Sequence, residues 1–211
     1  MPKAVLFDYD DTLVQTRHCK YRAIRELARR HYDAEIEEAE IDLHWGSAYF
    51  ELFSSLFARL DPDIARVIGR YEAMDAEFAM TLYPDALPTL ERLLDHHVVG
   101  IVTAAGREPV LRQTRALGVP LDRLALLQTA EETPYHKPDP RVFEPALAKL
   151  AALSVAPSDV TYVGDSLRDY VAARDAGFRF FGVLRGTTSL TEFERAGATA
   201  LESLHDLVDR I

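Results

Sequence analysis

The chain contains a single cysteine, Cys19, which excludes an intrachain disulfide and fits a reducing, cytoplasmic setting. No apolar stretch approaches the roughly 20 residues of a membrane-crossing helix. The apolar run near the N-terminus is short and breaks at Asp8, which predicts no signal peptide. Basic residues are scarce: 24 Lys and Arg stand against 34 Asp and Glu, a net charge of -10. A surface of that sign repels phosphate backbones and anionic membranes, so neither nucleic acid nor a membrane is an expected partner. It would repel a phosphorylated metabolite as well, unless a local cation reverses the field. Internal repeats and low-complexity linkers are also missing.

What is present is apolar patterning. Hydrophobic residues make up 48% of the chain, enough for a sizeable core in one large domain or a core domain with a smaller insert. Short runs rich in Val, Leu and Phe recur as "AVLF" (4–7), "VVGIV" (98–102), "LALL" (124–127), "VTYV" (160–163) and "FFGVL" (180–184). Each reads as a strand buried on both faces, the mark of a parallel sheet. Helical stripes separate most of them, one through Leu87, Leu90, Leu93 and Leu94, another through Val142, Phe143, Ala146, Leu147 and Leu150. Alternation of this kind predicts an α/β fold, a doubly wound parallel sheet of Rossmann-like type.

The gap between the first two strands is far longer than one crossover helix needs. Three helical stripes fill it, over Tyr21–Tyr32, Tyr49–Leu60 and Ile64–Phe78. Residues 16–83 therefore read as an all-helical insert, and residues 1–15 with 84–211 as the α/β core. The acidic "EIEEAE" (35–40) is a solvated face of the insert.

Ligands in open α/β sheets bind at the carboxyl ends of the strands. Those ends carry Asp8 and Asp10, then Thr103, then Asp165 and Asp169 in "VGDSLRD", with Lys137 in "YHKPDP" before a helix. Taken singly each has a bland reading: an Asp after a strand is commonly a turn residue or a cap. Lys137 could be solvated, and Thr103 suits a strand end by propensity alone. Their order makes them a set. Clustered carboxylates are tolerable around a hard divalent cation, and Mg²⁺ prefers oxygen ligands.

The four stretches "DYDDT", "VTAAG", "HKPDP" and "GDSLRD" resemble the motifs of the haloacid dehalogenase-like hydrolase superfamily. The insert corresponds to that family's helical cap, and "VQTRHCKYRA" and "HWGSAYFELF" resemble the phosphoglycolate phosphatase-like branch. The resemblance implies a Mg²⁺-dependent phosphatase acting on a small phosphorylated metabolite. Asp8 would be the nucleophile that forms an aspartyl-phosphate, and Asp10 the acid and base. Mg²⁺ would be held by Asp8, the Asp10 carbonyl and Asp165, with Asp169 in support. Thr103, Ala104 and Lys137 would bind the phosphoryl group. Two positions depart from the family pattern: Asp11 stands where Gly is usual, and Ala104 lacks the polar side chain common there. Arg22, Trp45 and Tyr49 in the insert are candidates for selecting the substrate.

The presence of Asp10 decides against the dehalogenase and phosphonatase branches, which lack an acid there. A sugar-phosphate mutase would keep all four motifs and stays open, as does a catalytically silent phosphate-binding protein. A phosphorylation-switched receiver domain would be shorter and lack the insert. A monomer or homodimer is expected.

Overall fold

The computed structural model of the chain describes residues 3–45, 49–74, 76–186 and 188–211. Two compact units result, residues 1–15 with 81–211 and residues 16–80. After β1 (Ala4–Phe7) the chain enters the insert, with α1 (Thr16–Tyr32), α2 (Glu38–Asp42), α3 (Tyr49–Phe57) and α4 (Ile64–Ala73). It returns through α5 (Ala86–Leu94) and β2 (Val98–Val102), followed by α6 (Arg107–Ala116) and β3 (Leu126–Gln128). Then come α7 (Glu144–Ala152), β4 (Val160–Gly164), α8 (Leu167–Asp175), β5 (Arg179–Val183), α9 (Leu190–Ala196), β6 (Thr199–Leu201) and α10 (His205–Val208). No helix among the described residues is long and apolar enough to cross a membrane.

The six strands form one parallel sheet in the order β3-β2-β1-β4-β5-β6. β1 lies in the middle, with Phe7 opposite Ile101 of β2 on one side and Val163 of β4 on the other. All four of its residues are fully buried, which is why "AVLF" has no polar alternation. Chain order reverses direction at β1, the topological switch point where such sheets bind ligands. The carboxyl ends of β1, β2 and β4 therefore lie side by side, and that places the site.

Beneath the sheet, Phe143 meets Tyr162 edge to face at 4.8 Å and Phe178 at 4.9 Å. Phe143 is wholly buried, and truncating it to Ala would cost roughly 3–5 kcal/mol. The insert has its own core. Ile24, Leu27 and Ala28 share one face of α1 at helical spacing, buried in one cluster with Phe53, Phe57 and Val67. Phe53 stacks on Phe57 and meets Tyr71 edge-on at 4.8 Å. Asp63 starts α4 by accepting from the Arg66 amide at 3.1 Å.

The structure moves several boundaries. The strand expected at 124–127 lies at Leu126–Gln128, because pairing with β2 begins at Gly100 opposite Leu126 while Leu124 still closes a turn onto Leu121. The third helix of the insert stops at Ala73, and Phe78 packs on the same core from beyond it. The acidic stretch holds a helix start: Glu37 and Glu40 form a capping box at the head of α2. Residues 81–83 belong with the core. The Gln15 amide donates to the Thr81 carbonyl at 2.9 Å, Val14 bridges Leu82, and the Tyr83 amide donates to the Leu13 carbonyl at 2.9 Å. β6 has no counterpart in the apolar runs, since three edge residues carry too little pattern to read.

Candidate active site

Asp8 is the first residue past β1, and its amide still donates to the Val163 carbonyl of β4 at 2.8 Å. Sheet pairing therefore fixes its backbone. The chain then turns tightly, the Leu13 and Val14 amides both donating to the Tyr9 carbonyl at 3.0 and 3.1 Å. Asp11 sits at φ +52, the left-handed region where Gly is free and most residues are strained. Asp tolerates it at a cost of roughly 1 kcal/mol, so the turn survives the missing Gly.

Thr103 follows β2 in the same way, its amide donating to the Gln128 carbonyl at 3.0 Å. Its hydroxyl accepts from the Ala105 amide at 3.0 Å and reaches Asp10 Oδ2 at 3.5 Å. Ala104 is exposed beside it. At the end of β4, Gly164 leads into Asp165 and the head of α8. Ser166 caps that helix, accepting from the Asp169 amide while Asp169 Oδ2 accepts from the Ser166 amide at 3.1 Å. A side chain at position 164 would collide with Asp169, its Cβ falling 2.6 Å from the carboxyl carbon. The glycine is what lets the Asp169 carboxylate turn back toward the sheet.

Lys137 joins these ends. Its ammonium donates to Asp8 Oδ1 and Asp169 Oδ1, both at 2.6 Å, and to the Tyr162 hydroxyl at 2.9 Å. The Tyr162 hydroxyl in turn donates to the Val102 carbonyl at 3.1 Å. Arg168 holds the Lys137 carbonyl through two guanidinium donors, one at 2.9 Å. Tyr162 and Arg168 are contributors that motif reading missed. A buried Tyr within "VTYV" was the available signal, because its hydroxyl must find a partner.

Charge in this pocket is unbalanced. Carboxylate oxygens of Asp8, Asp165 and Asp169 lie within 4.8 Å of one another. Burial pushes the Asp8 carboxyl up to about 7, Lys137 pulling the other way and Asp169 and Asp10 adding to the rise. Asp165 is likewise held well above the usual carboxylate range, by burial first and then by Asp169, Asp8 and Asp11. Burial works against the Lys137 charge, but Asp169 and Asp8 outweigh it and keep the ammonium protonated. Both oxygens of Asp169 are engaged, one by Lys137 and one by Ser166. Among the described residues no hydrogen bond reaches the Asp165 carboxylate. Hard oxygen donors with too little positive charge are a donor set that fits a divalent cation such as Mg²⁺.

Three candidates lie on the insert. Trp45 meets Tyr21 edge-on at 4.9 Å, and Arg22 sits over Phe78 at 5.6 Å. Tyr49 packs edge-on against Phe53 at 5.0 Å and is nearly half exposed. Arg22 also lines a groove of about 490 Å³ within the insert, together with Arg25, Arg29, Glu35 and Glu77.

A family model described as haloacid dehalogenase-like hydrolase matches residues 5–183. The pyrophosphatase PpaX of Bacillus pumilus is 27% identical over 97% of this chain and 94% of its own length. The phosphoglycolate phosphatase of Rhodospirillum rubrum is 29% identical over 84% of this chain and 77% of its own. Among solved structures, a Thermotoga maritima protein assigned as a β-phosphoglucomutase superposes with a TM-score of 0.84 at 22% identity, covering 99% of both chains, a likeness of fold.

Proposed function

The chain belongs to the haloacid dehalogenase-like hydrolases, in the phosphoglycolate phosphatase-like branch, and on that footing we propose a Mg²⁺-dependent phosphatase of small phosphorylated substrates that works through an aspartyl-phosphate. The observation that carries the reading is the convergence of Asp8, Asp165, Asp169 and Lys137 at the carboxyl ends of β1 and β4.

Asp8 is the nucleophile. One of its oxygens is tied to Lys137, and the carboxylate attacks phosphorus to form the Asp8–phosphoryl bond as the bond to the leaving oxygen breaks. Asp10 gives its proton to the departing alkoxide, then takes one from the water that attacks the phosphoryl group and releases Asp8. Thr103, the Ala104 backbone and Lys137 hold the phosphoryl oxygens, Lys137 as a charge fixed on three sides. Asp8, the Asp10 carbonyl and Asp165 would hold Mg²⁺, and Asp169 orients Lys137. Bound there, the cation supplies electrostatic neutralisation between the attacking carboxylate and the anionic phosphate. The core groups recognise only a phosphoryl group. Discrimination among substrates is therefore assigned to the insert, with Arg22, Trp45 and Tyr49 as its candidates.

The test is a screen of phosphate monoesters and inorganic pyrophosphate with Mg²⁺, reading free phosphate and analysing products. Phosphate release from at least one compound is expected. An isomeric sugar phosphate without free phosphate would assign a mutase. Turnover of none would point to a silent binding protein.

A further inference from the structure

We infer that Arg185 is a positioning residue for Asp10, holding the turn that carries the acid while leaving the Asp8 nucleophile to the sheet. The inference rests on the assignment of Asp10 as acid and base. Asp8 is anchored by β-pairing through Val163 and by Lys137. The turn after it is tied to the core at Leu13 and Val14, through the Tyr83 amide and the Leu82 bridge, and at Thr12 by a side chain. There the Thr12 carbonyl accepts from Arg185 Nη1 at 2.6 Å. Residue 12 follows Asp10 by two positions, inside the turn that the Asp11 amide closes onto the Val14 carbonyl, so a bond to its carbonyl restrains the same turn that carries Asp10.

The guanidinium is itself locked. Its Nη2 pairs with Asp85 Oδ2, an oxygen that also accepts from the Ser203 hydroxyl at 2.7 Å and the Leu204 amide at 2.9 Å. Its face lies 4.2 Å over the Tyr83 ring. Side chains 185 and 85 are only 7% and 11% exposed. The next residue, Gly186, lies against the other acid: a Cβ there would fall 1.7 Å from Asp165 Oδ2. One loop at the end of β5 thus braces the Asp10 turn through Arg185 and abuts Asp165 through Gly186. A buried ion pair is often purely structural, and such a pair would affect all substrates alike. A brace on the acid acts differently, because it matters only when the leaving group needs a proton.

The experiment compares phenyl phosphate with 4-nitrophenyl phosphate, esters of similar shape, the second with a leaving group that departs without protonation. In Arg185→Lys, one ammonium cannot span Thr12 and Asp85 as the fork does. The ratio of kcat/KM for 4-nitrophenyl over phenyl phosphate should rise about tenfold, with inhibition by inorganic phosphate unchanged. Asp10→Asn sets the full size of that rise. Asp85→Asn, which loosens the same guanidinium, should raise the ratio in the same direction and serves if Arg185→Lys does not fold. An unchanged ratio in both variants, with Asp10→Asn raised, overturns the role of Arg185 alone. An unchanged ratio in Asp10→Asn overturns the acid assignment and the inference with it.

Discussion

Lys137 Nζ and Asp8 Oδ1 lie 2.6 Å apart across 129 positions of sequence, and both side chains are almost wholly buried. Asp169 takes a second bond from the same ammonium at an equal distance. One cation thus compensates two carboxylates, and the pocket's electrostatics turn on it. Lys137→Met strands both acids away from water. Urea unfolding in the presence of chelator should show a loss of roughly 3 kcal/mol, and phosphate release should fall at least ~100-fold. An unchanged unfolding midpoint would contradict the pairing.

Asp8 and Asp10 have separable duties, and their amide variants should separate them. Asp8→Asn is expected to abolish turnover and to give no phosphoaspartate on mass spectrometry of acid-quenched enzyme. Asp10→Asn should still phosphorylate slowly from 4-nitrophenyl phosphate, which needs little protonation. Near-normal turnover by Asp8→Asn would remove the mechanism.

The acidic pocket should bind Mg²⁺ more tightly folded than unfolded. At a hundredfold excess over Kd this stabilises by about 2.7 kcal/mol, or about 5–10 °C in Tm for a chain of this size. In Asp165→Asn most of that shift should vanish. The same variant in chelator should be at least as stable as the parent, since an amide there removes the cost of burying a charge and the repulsion from Asp169 and Asp8 that together hold the Asp165 carboxyl up. Scanning calorimetry with and without Mg²⁺ reads both arms, and a full shift retained in Asp165→Asn would rule out this site.

Asp85 contributes to the acid limb of stability. Burial pushes its carboxyl up, but the Ser203 hydroxyl, the Leu204 amide and Arg185 outweigh it, and the folded value lies below the usual one. A depressed value stabilises above the unfolded value near ~3.9, and that contribution is lost as pH falls through the folded value. Asp85→Asn should cost roughly 3 kcal/mol at pH 7 and flatten the pH dependence of unfolding below about pH 4. Parallel acid limbs in the two proteins would show that Asp85 makes no contribution there.

The insert should change preference rather than chemistry. Trp45→Ala and Arg22→Ala are expected to reorder kcat/KM across a panel of phosphorylated metabolites while altering 4-nitrophenyl phosphate hydrolysis far less. Equal losses on every compound, or none, would clear both residues of a selecting role.

Local pattern determined much of this protein. Uninterrupted apolar runs such as "AVLF" read as strands buried on both faces, and the stripe through Ile24, Leu27 and Ala28 reads as an amphipathic helix. Asp8, Thr103 and Asp165 were legible as site candidates because each follows such a run, and strand ends in a doubly wound sheet converge. Tertiary structure decided what local pattern cannot hold. Nothing near Tyr162 in sequence says that its hydroxyl supports Lys137, and nothing near Arg185 names Thr12, 173 positions away, as its acceptor. β6 and the return of residues 81–83 to the core were equally hidden, since a few residues of edge pairing leave no periodicity. Hydrophobic periodicity is written along the chain because burial of a face repeats with the backbone. Hydrogen bonds between single polar side chains repeat with nothing, so only the folded chain reveals which ones meet.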